Sequence, residues 1–144
     1  MRRTPLKRNP LSRDITWRKR SVRFTGPMPD VVEAVLERDQ HSCVVCGQNL
    51  YGTRGYDWSL QHRRPRRAGG DKRPDVNLPA NLVAVCGSGT ERCHGWIESN
   101  RTEALALGLL LHADDKPSEH AVATWYGVVL LDNAGHLWPI GEAV

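Results

Sequence analysis

Residues 60–98 read LQHRRPRRAGGDKRPDVNLPANLVAVCGSGTERCHGWIE, and this stretch decides how the chain folds. Trp58-Ser59-Leu60-Gln61-His62 alternates in the manner of a half-buried strand. A basic loop follows from Arg63 to Ala80, with three prolines and the pair Gly69-Gly70. A loop that long in a small domain usually carries function. Leu82-Val83-Ala84-Val85 is a second short strand. From Cys93 the pattern turns helical and runs on to Gly108, a residue suited to stopping a helix.

Four cysteines frame the stretch. Cys43 and Cys46 are separated by two residues, so both thiolates reach one tetrahedral ion, and Gly47 permits the left-handed turn that follows. Cys86 and Cys93 form a looser second pair, with Gly87 and Gly89 in the bulge between them. The four could instead form two disulfides. The Arg-rich start lacks the apolar core of a secretory signal, and no apolar run approaches the ~20 residues that span a bilayer. A cytoplasmic location is therefore expected, and there paired cysteines favour metal over disulfides. Structural zinc on Cys43, Cys46, Cys86 and Cys93 is the expectation.

Outward from this centre, Pro29–Asp39 reads as a short amphipathic helix. Pro29 suits its first turn, Asp30 and Glu33 its positive end, and Val31, Val32, Val35 and Leu36 make one apolar face. It is expected to pack under the zinc site. Toward the C-terminus, Val128–Leu131 and His136–Trp138 flank Asp132-Asn133-Ala134-Gly135, a hairpin signature. Residues 109–144 carry no chemical signal, and packing on the core or docking a partner are both open to them. The expected organisation is a basic, flexible arm over 1–28, a zinc-stapled domain over 29–108, and an extension over 109–144. The fold class is α+β.

With 144 residues, one Phe and 40% apolar residues, the core is modest, and such a core profits from a staple. The formal charge is +4, but its distribution says more. Nine of the 20 Lys and Arg residues fall in 1–23, and six more, Arg63, Arg64, Arg66, Arg67, Lys72 and Arg73, fall in the central loop. Clumps of that kind suit a polyanionic partner, with the loop residues as backbone contacts.

Three polar residues interleave with the cysteines: His62 at a strand end, Asn81 before the second strand, and His94 directly after Cys93. Taken singly, each has a plainer role: a surface histidine, a turn residue, a fourth zinc ligand. Together they match what phosphodiester hydrolysis requires, namely a base for water, a residue to aim it, and a ligand for a charge-neutralising cation. Glu98 lies one helical turn beyond His94, on the same face.

In this order the residues resemble the HNH endonuclease family of the ββα-metal superfamily, and in particular its small four-cysteine members in phages and prophages. The resemblance covers about Asp39 to Gly108. It rests on Cys43/Cys46, the doublet Gln61-His62, Gly69-Gly70, Asn81-Leu82 and Cys93-His94. It implies a ββα-metal core in which His62 is the general base, Asn81 orients it, and His94 binds a catalytic divalent cation (Mg²⁺, Mn²⁺ or Ni²⁺). The doublet's first residue is usually Asp or His and helps bind that cation. Here it is Gln61, so either its carboxamide oxygen or Glu98 would complete the set. The function implied is metal-dependent hydrolysis of duplex DNA with low sequence specificity. The alternative is a weakly active or inactive zinc module that binds DNA or a partner. Family context adds the phage packaging terminase as a possible partner.

Overall fold

The computed structural model describes residues 25–68 and 70–141. The basic stretch 1–23, with most of the expected arm, and Gly69 of the glycine pair lie outside the described residues. The architecture is mixed α+β: α1 (Pro29–Arg38), β1 (Trp58–His62), β2 (Leu82–Cys86), α2 (Arg92–Ser99), α3 (Arg101–Ala106), β3 (Val122–Thr124), β4 (Gly127–Leu131) and β5 (Leu137–Pro139). β1 and β2 form an antiparallel ribbon in which Trp58 pairs with Cys86 and His62 with Leu82. The other three strands form a separate antiparallel sheet in the order β3-β4-β5.

β2 is buried along its whole length, so its alternation sorts residues between two apolar layers. Leu82 and Ala84 join Leu60 of β1 and Val35 of α1 in one cluster, with Val31, Val32 and Leu36 packed against it. Val83 and Val85 face the other way, into a larger cluster with Val44, Ile97, Ala104, Leu109, Leu110, Val122, Val129 and Leu131. Helix α1 thus has the expected bounds to within a residue, but it covers the Leu60–Leu82–Ala84 layer of the ribbon and not the cysteines. A buried ion pair anchors its end: Arg38 Nε donates to Asp39 Oδ1 at 2.7 Å, and Arg38 also donates to the carbonyls of Pro79 and Leu82. Asp39 in turn accepts the Ala84 amide at 2.9 Å, which ties the helix end to the middle of β2.

The larger cluster resolves what the C-terminal residues do. Val122, Val129 and Leu131 share one core with Val83, Val85 and Ile97, so residues 109–141 close the face of the ribbon opposite α1. The hairpin reading holds for β4 and β5; β3 carried too short a pattern to be seen.

The helix expected over 93–108 is broken into α2 and α3. Asn100, at φ −116° and ψ 55°, leaves the helical region. Its side-chain amide donates to the Trp96 carbonyl at 2.9 Å, alongside its own backbone N–H at 2.8 Å. Asn competes for backbone acceptors in this way, and the competition ends α2. Gly108 then stops the second segment at φ +70°, where a Cβ would lie 2.0 Å from the Ala121 carbonyl oxygen.

Candidate metal centre and adjoining cleft

Cys43, Cys46, Cys86 and Cys93 converge with all four Sγ atoms within 4.8 Å of one another. Cys46 Sγ and Cys86 Sγ are 3.8 Å apart. Sulfurs on a tetrahedral zinc at ~2.3 Å stand about 3.8 Å from each other, whereas a disulfide needs about 2.05 Å. The donor set therefore fits a metal ion such as zinc, and all four cysteines are free thiols.

Local backbone explains the convergence. The first pair sits in a turn closed by Gly47 N–H to Cys43 O and Cys43 N–H to Gln48 O, both at 2.8 Å. Gly47 takes φ +73° there, and a Cβ on it would lie 2.9 Å from the Trp125 ring, so the turn accepts only glycine comfortably. The turn is fixed on both sides, by Val44 N–H to Ala84 O (2.9 Å) and by Trp125 N–H to Val44 O (2.8 Å). The second pair comes from the end of β2 and the first turn of α2.

Burial pushes the Cys43 thiol up to about 11 against the pull of neighbouring backbone amides, and burial reinforced by the neighbouring thiols raises Cys93. Burial acts the same way on Cys46, but the Gln48 amide and the other thiols outweigh it and bring that group down. Metal loading would displace protons from this cluster.

Beside the cysteines, β1, the following loop and α2 line an open cleft of about 220 Å³ with Leu60, Gln61, His62, Pro65, Arg66, His94 and Glu98. The structure thus brings His62, Gln61, His94 and Glu98 together. His94 Nδ1 lies 2.5 Å from Ser59 Oγ, and that hydroxyl donates its single proton to the Gly87 carbonyl at 2.9 Å. Ser59 must therefore accept from His94, which places the proton on Nδ1 and leaves the Nε2 lone pair bare. A neutral imidazole held in one tautomer by an outer partner is the form that ligates metals. Burial lowers the pKa of His94 despite the nearby Glu98 carboxylate, which keeps the ring neutral near pH 7. With its Nδ1 committed to Ser59, and four cysteine sulfurs already converging, His94 is not needed in the cysteine cluster.

Gln61 is 4% exposed and presents its amide nitrogen to Glu98 Oε1 (3.2 Å) and to the His62 carbonyl (3.1 Å). The atom it turns toward Glu98 is thus its nitrogen, a donor, while the residue itself lines the cleft. It holds the Glu98 carboxylate, whose other oxygen accepts from Arg101 at 3.2 Å.

His62 is half-buried, and its Nε2 lies 2.9 Å from Asn77 Oδ1. Burial lowers its pKa, helped by Arg66 and Arg54 and opposed by Asn77 and Asp71. Asn81 is fully buried and makes no hydrogen bond to the imidazole. Its Oδ1 accepts the Arg64 amide at 2.7 Å and its Nδ2 donates to Val76 O at 2.8 Å, so it staples the two ends of the loop that follows His62.

The basic loop divides. Arg66, Arg67 and Lys72 are exposed, and Arg66 lines the cleft. Arg63, Arg64 and Arg73 are corrections to the expected DNA contacts. Arg63 is 0% exposed and spends every donor on a carbonyl: Gly108, Ala80, Pro117, His120 and Ala121. Arg64 is buried against Asp75 and the Asp115 carbonyl. Arg73 pairs with Asp71, whose carboxyl it holds well below the usual range, and also donates to Ala113 O and Pro65 O.

Ser59 and Asn77 escaped the sequence reading. Ser59 looked like an ordinary polar position of an alternating strand. For Asn77 a signal did exist, since Asn77-Leu78 repeats the doublet Asn81-Leu82 four residues earlier. No family model, curated protein or solved structure matches the chain.

Proposed function

We propose that the chain is a metal-dependent endonuclease of the HNH, ββα-metal type, hydrolysing DNA phosphodiester bonds with low sequence specificity. One observation carries the reading: a single cleft collects a neutral histidine from β1 with a second histidine and a carboxylate from α2, beside a four-cysteine cluster. The four cysteines hold structural zinc, which fixes the start of α2 and with it the backbone of His94.

His94 through Nε2 and Glu98 through Oε1 are the residues that would hold a catalytic divalent cation. Bound there, such a cation supplies charge neutralisation at the scissile phosphate. His62, kept neutral by burial, takes the proton from the attacking water. Ser59 holds the His94 tautomer, and Gln61 orients Glu98. Arg66, Arg67 and Lys72 contact the DNA backbone, which explains why little base selectivity is expected.

A non-cutting zinc module is the second reading. It is favoured by Gln61, which brings no charge to the position where the resembled family usually carries Asp or His. Cleavage of supercoiled plasmid by the zinc-loaded chain with Mg²⁺, Mn²⁺ or Ni²⁺ decides between them. Ion-dependent cutting that EDTA and His62→Ala both abolish supports the nuclease. DNA binding without cutting under every ion supports the module.

A further inference from the structure

We infer that Asn77, and not Asn81, is the residue that orients His62 by fixing which ring nitrogen is free to take a proton. The inference rests on the nuclease reading above. The Asn77 amide is itself fixed: Nδ2 donates to the Thr25 carbonyl at 3.2 Å, so Oδ1 is the atom that faces His62 Nε2 at 2.9 Å. A carboxamide oxygen only accepts. The proton of the neutral ring therefore sits on Nε2, and Nδ1 is the bare nitrogen that takes a proton from water.

Asn81 acts one step further back. By donating to the Val76 carbonyl and accepting the Arg64 amide, it sets the backbone immediately before Asn77 and two residues beyond His62. The two Asn-Leu doublets thus divide the work: Asn81 shapes the loop, and Asn77 reads out that shape on the imidazole.

The test uses the zinc-loaded full chain. Long-range ¹H–¹⁵N correlation spectra at pH 7.5 report which His62 nitrogen is protonated, and steady-state plasmid cleavage with Mn²⁺ reports kcat and KM. The expected result is an Nε2–H tautomer in the natural chain and a mixture of both tautomers in Asn77→Ala. Asn77→Ala should also lose about 10- to 100-fold in kcat with KM unchanged, a part of the ~10²–10⁴-fold a positioned base supplies. Asn77→Asp keeps an acceptor beside Nε2 and should restore both the tautomer and most of kcat, which a purely structural role would not produce. A natural chain with the His62 proton on Nδ1 overturns the inference without any variant. So does Asn77→Ala with kcat within twofold of the natural chain, or Asn77→Asp no better than Asn77→Ala. A natural chain that cuts nothing with any ion removes the nuclease reading and the positioning role with it. Robust cutting with the wrong tautomer removes only the role of Asn77.

Discussion

Arg63→Lys separates a structural cation from a nucleic-acid contact. Arg63 donates to five carbonyls at 2.8–3.1 Å, from Ala80 before β2, Gly108 after α3, and Pro117, His120 and Ala121 before β3. It joins the ribbon to the C-terminal sheet. Burial brings its pKa down to about 10, which still leaves the guanidinium charged at neutral pH. Lysine keeps the charge but has three donors where arginine has five. At least two buried carbonyls lose their partner, at about 1–3 kcal/mol each. Allowing for partial repacking, the loss should be about 3–4 kcal/mol, a large share of the ~5–15 kcal/mol that holds a typical domain. At about 2–4 °C per kcal/mol, Tm should fall by about 10 °C. Thermal and urea melts of the zinc-loaded protein measure this, with exposed Arg67→Lys as a control expected to stay within about 0.5 kcal/mol. A loss below about 1 kcal/mol would refute the staple. DNA affinity lost with Tm unchanged would do more, returning Arg63 to the DNA interface.

Three further outcomes are expected. Cys43→Ser should abolish folding, because apparent zinc binding of about 10–16 kcal/mol exceeds ordinary domain stability; a soluble variant that melts cooperatively would contradict this. Burial lowers the folded-state pKa of His62 and His94, so the unfolded chain binds more protons between those values and about 6.5. Stability should therefore fall as pH drops below about 6.5, and cleavage at the lower pH where folded His62 takes its proton; a urea midpoint higher at pH 5.5 than at 7.5 would reverse the sign. Removing Arg66, Arg67 or Lys72 should each reduce the slope of log affinity against log salt by about 0.9, while Arg64→Gln leaves the slope alone; titrations of duplex DNA between 50 and 200 mM salt read this directly.

Much of the frame was legible because it depends on short-range chemistry. Two residues between Cys43 and Cys46 constrain a metal turn whatever surrounds it, and Pro29 with its valines constrains α1. What escaped depends on which side of a residue turns inward. Arg63 and Arg66 are identical letters three places apart in one basic run. Arg63 follows β1 into the junction with the C-terminal sheet, while Arg66 reaches the cleft; only the packed structure separates them. The break at Asn100 was missed for a related reason. Helical periodicity continues across it, and the side-chain bond to Trp96 is a local competition that an apolar pattern does not register.

Gln61, where the resembled family usually carries Asp or His, bears on whether the cleft can work. A carboxylate there would sit on β1, beside Glu98 of α2, and two carboxylates that close disfavour each other's ionisation unless a cation lies between them. With Gln61 the strand contributes a donor, and its amide bonds Glu98 Oε1 directly. One negative charge remains, and it rides on the same helix as His94, four residues away. The helix therefore carries both proposed ligands, and the four-cysteine cluster, through Cys93, fixes where that helix begins. In the proposed arrangement the strand would supply the base and the outer partners, and the helix the ligands. Cation affinity should accordingly be lower than with two carboxylates and should favour ions that imidazole holds well, Mn²⁺ or Ni²⁺ over Mg²⁺. Gln61→Asp would move charge back to the strand, raising affinity for Mg²⁺ while giving up the donor that aligns Glu98. An unchanged ion preference in that variant would mean that Gln61 does not border the cation at all.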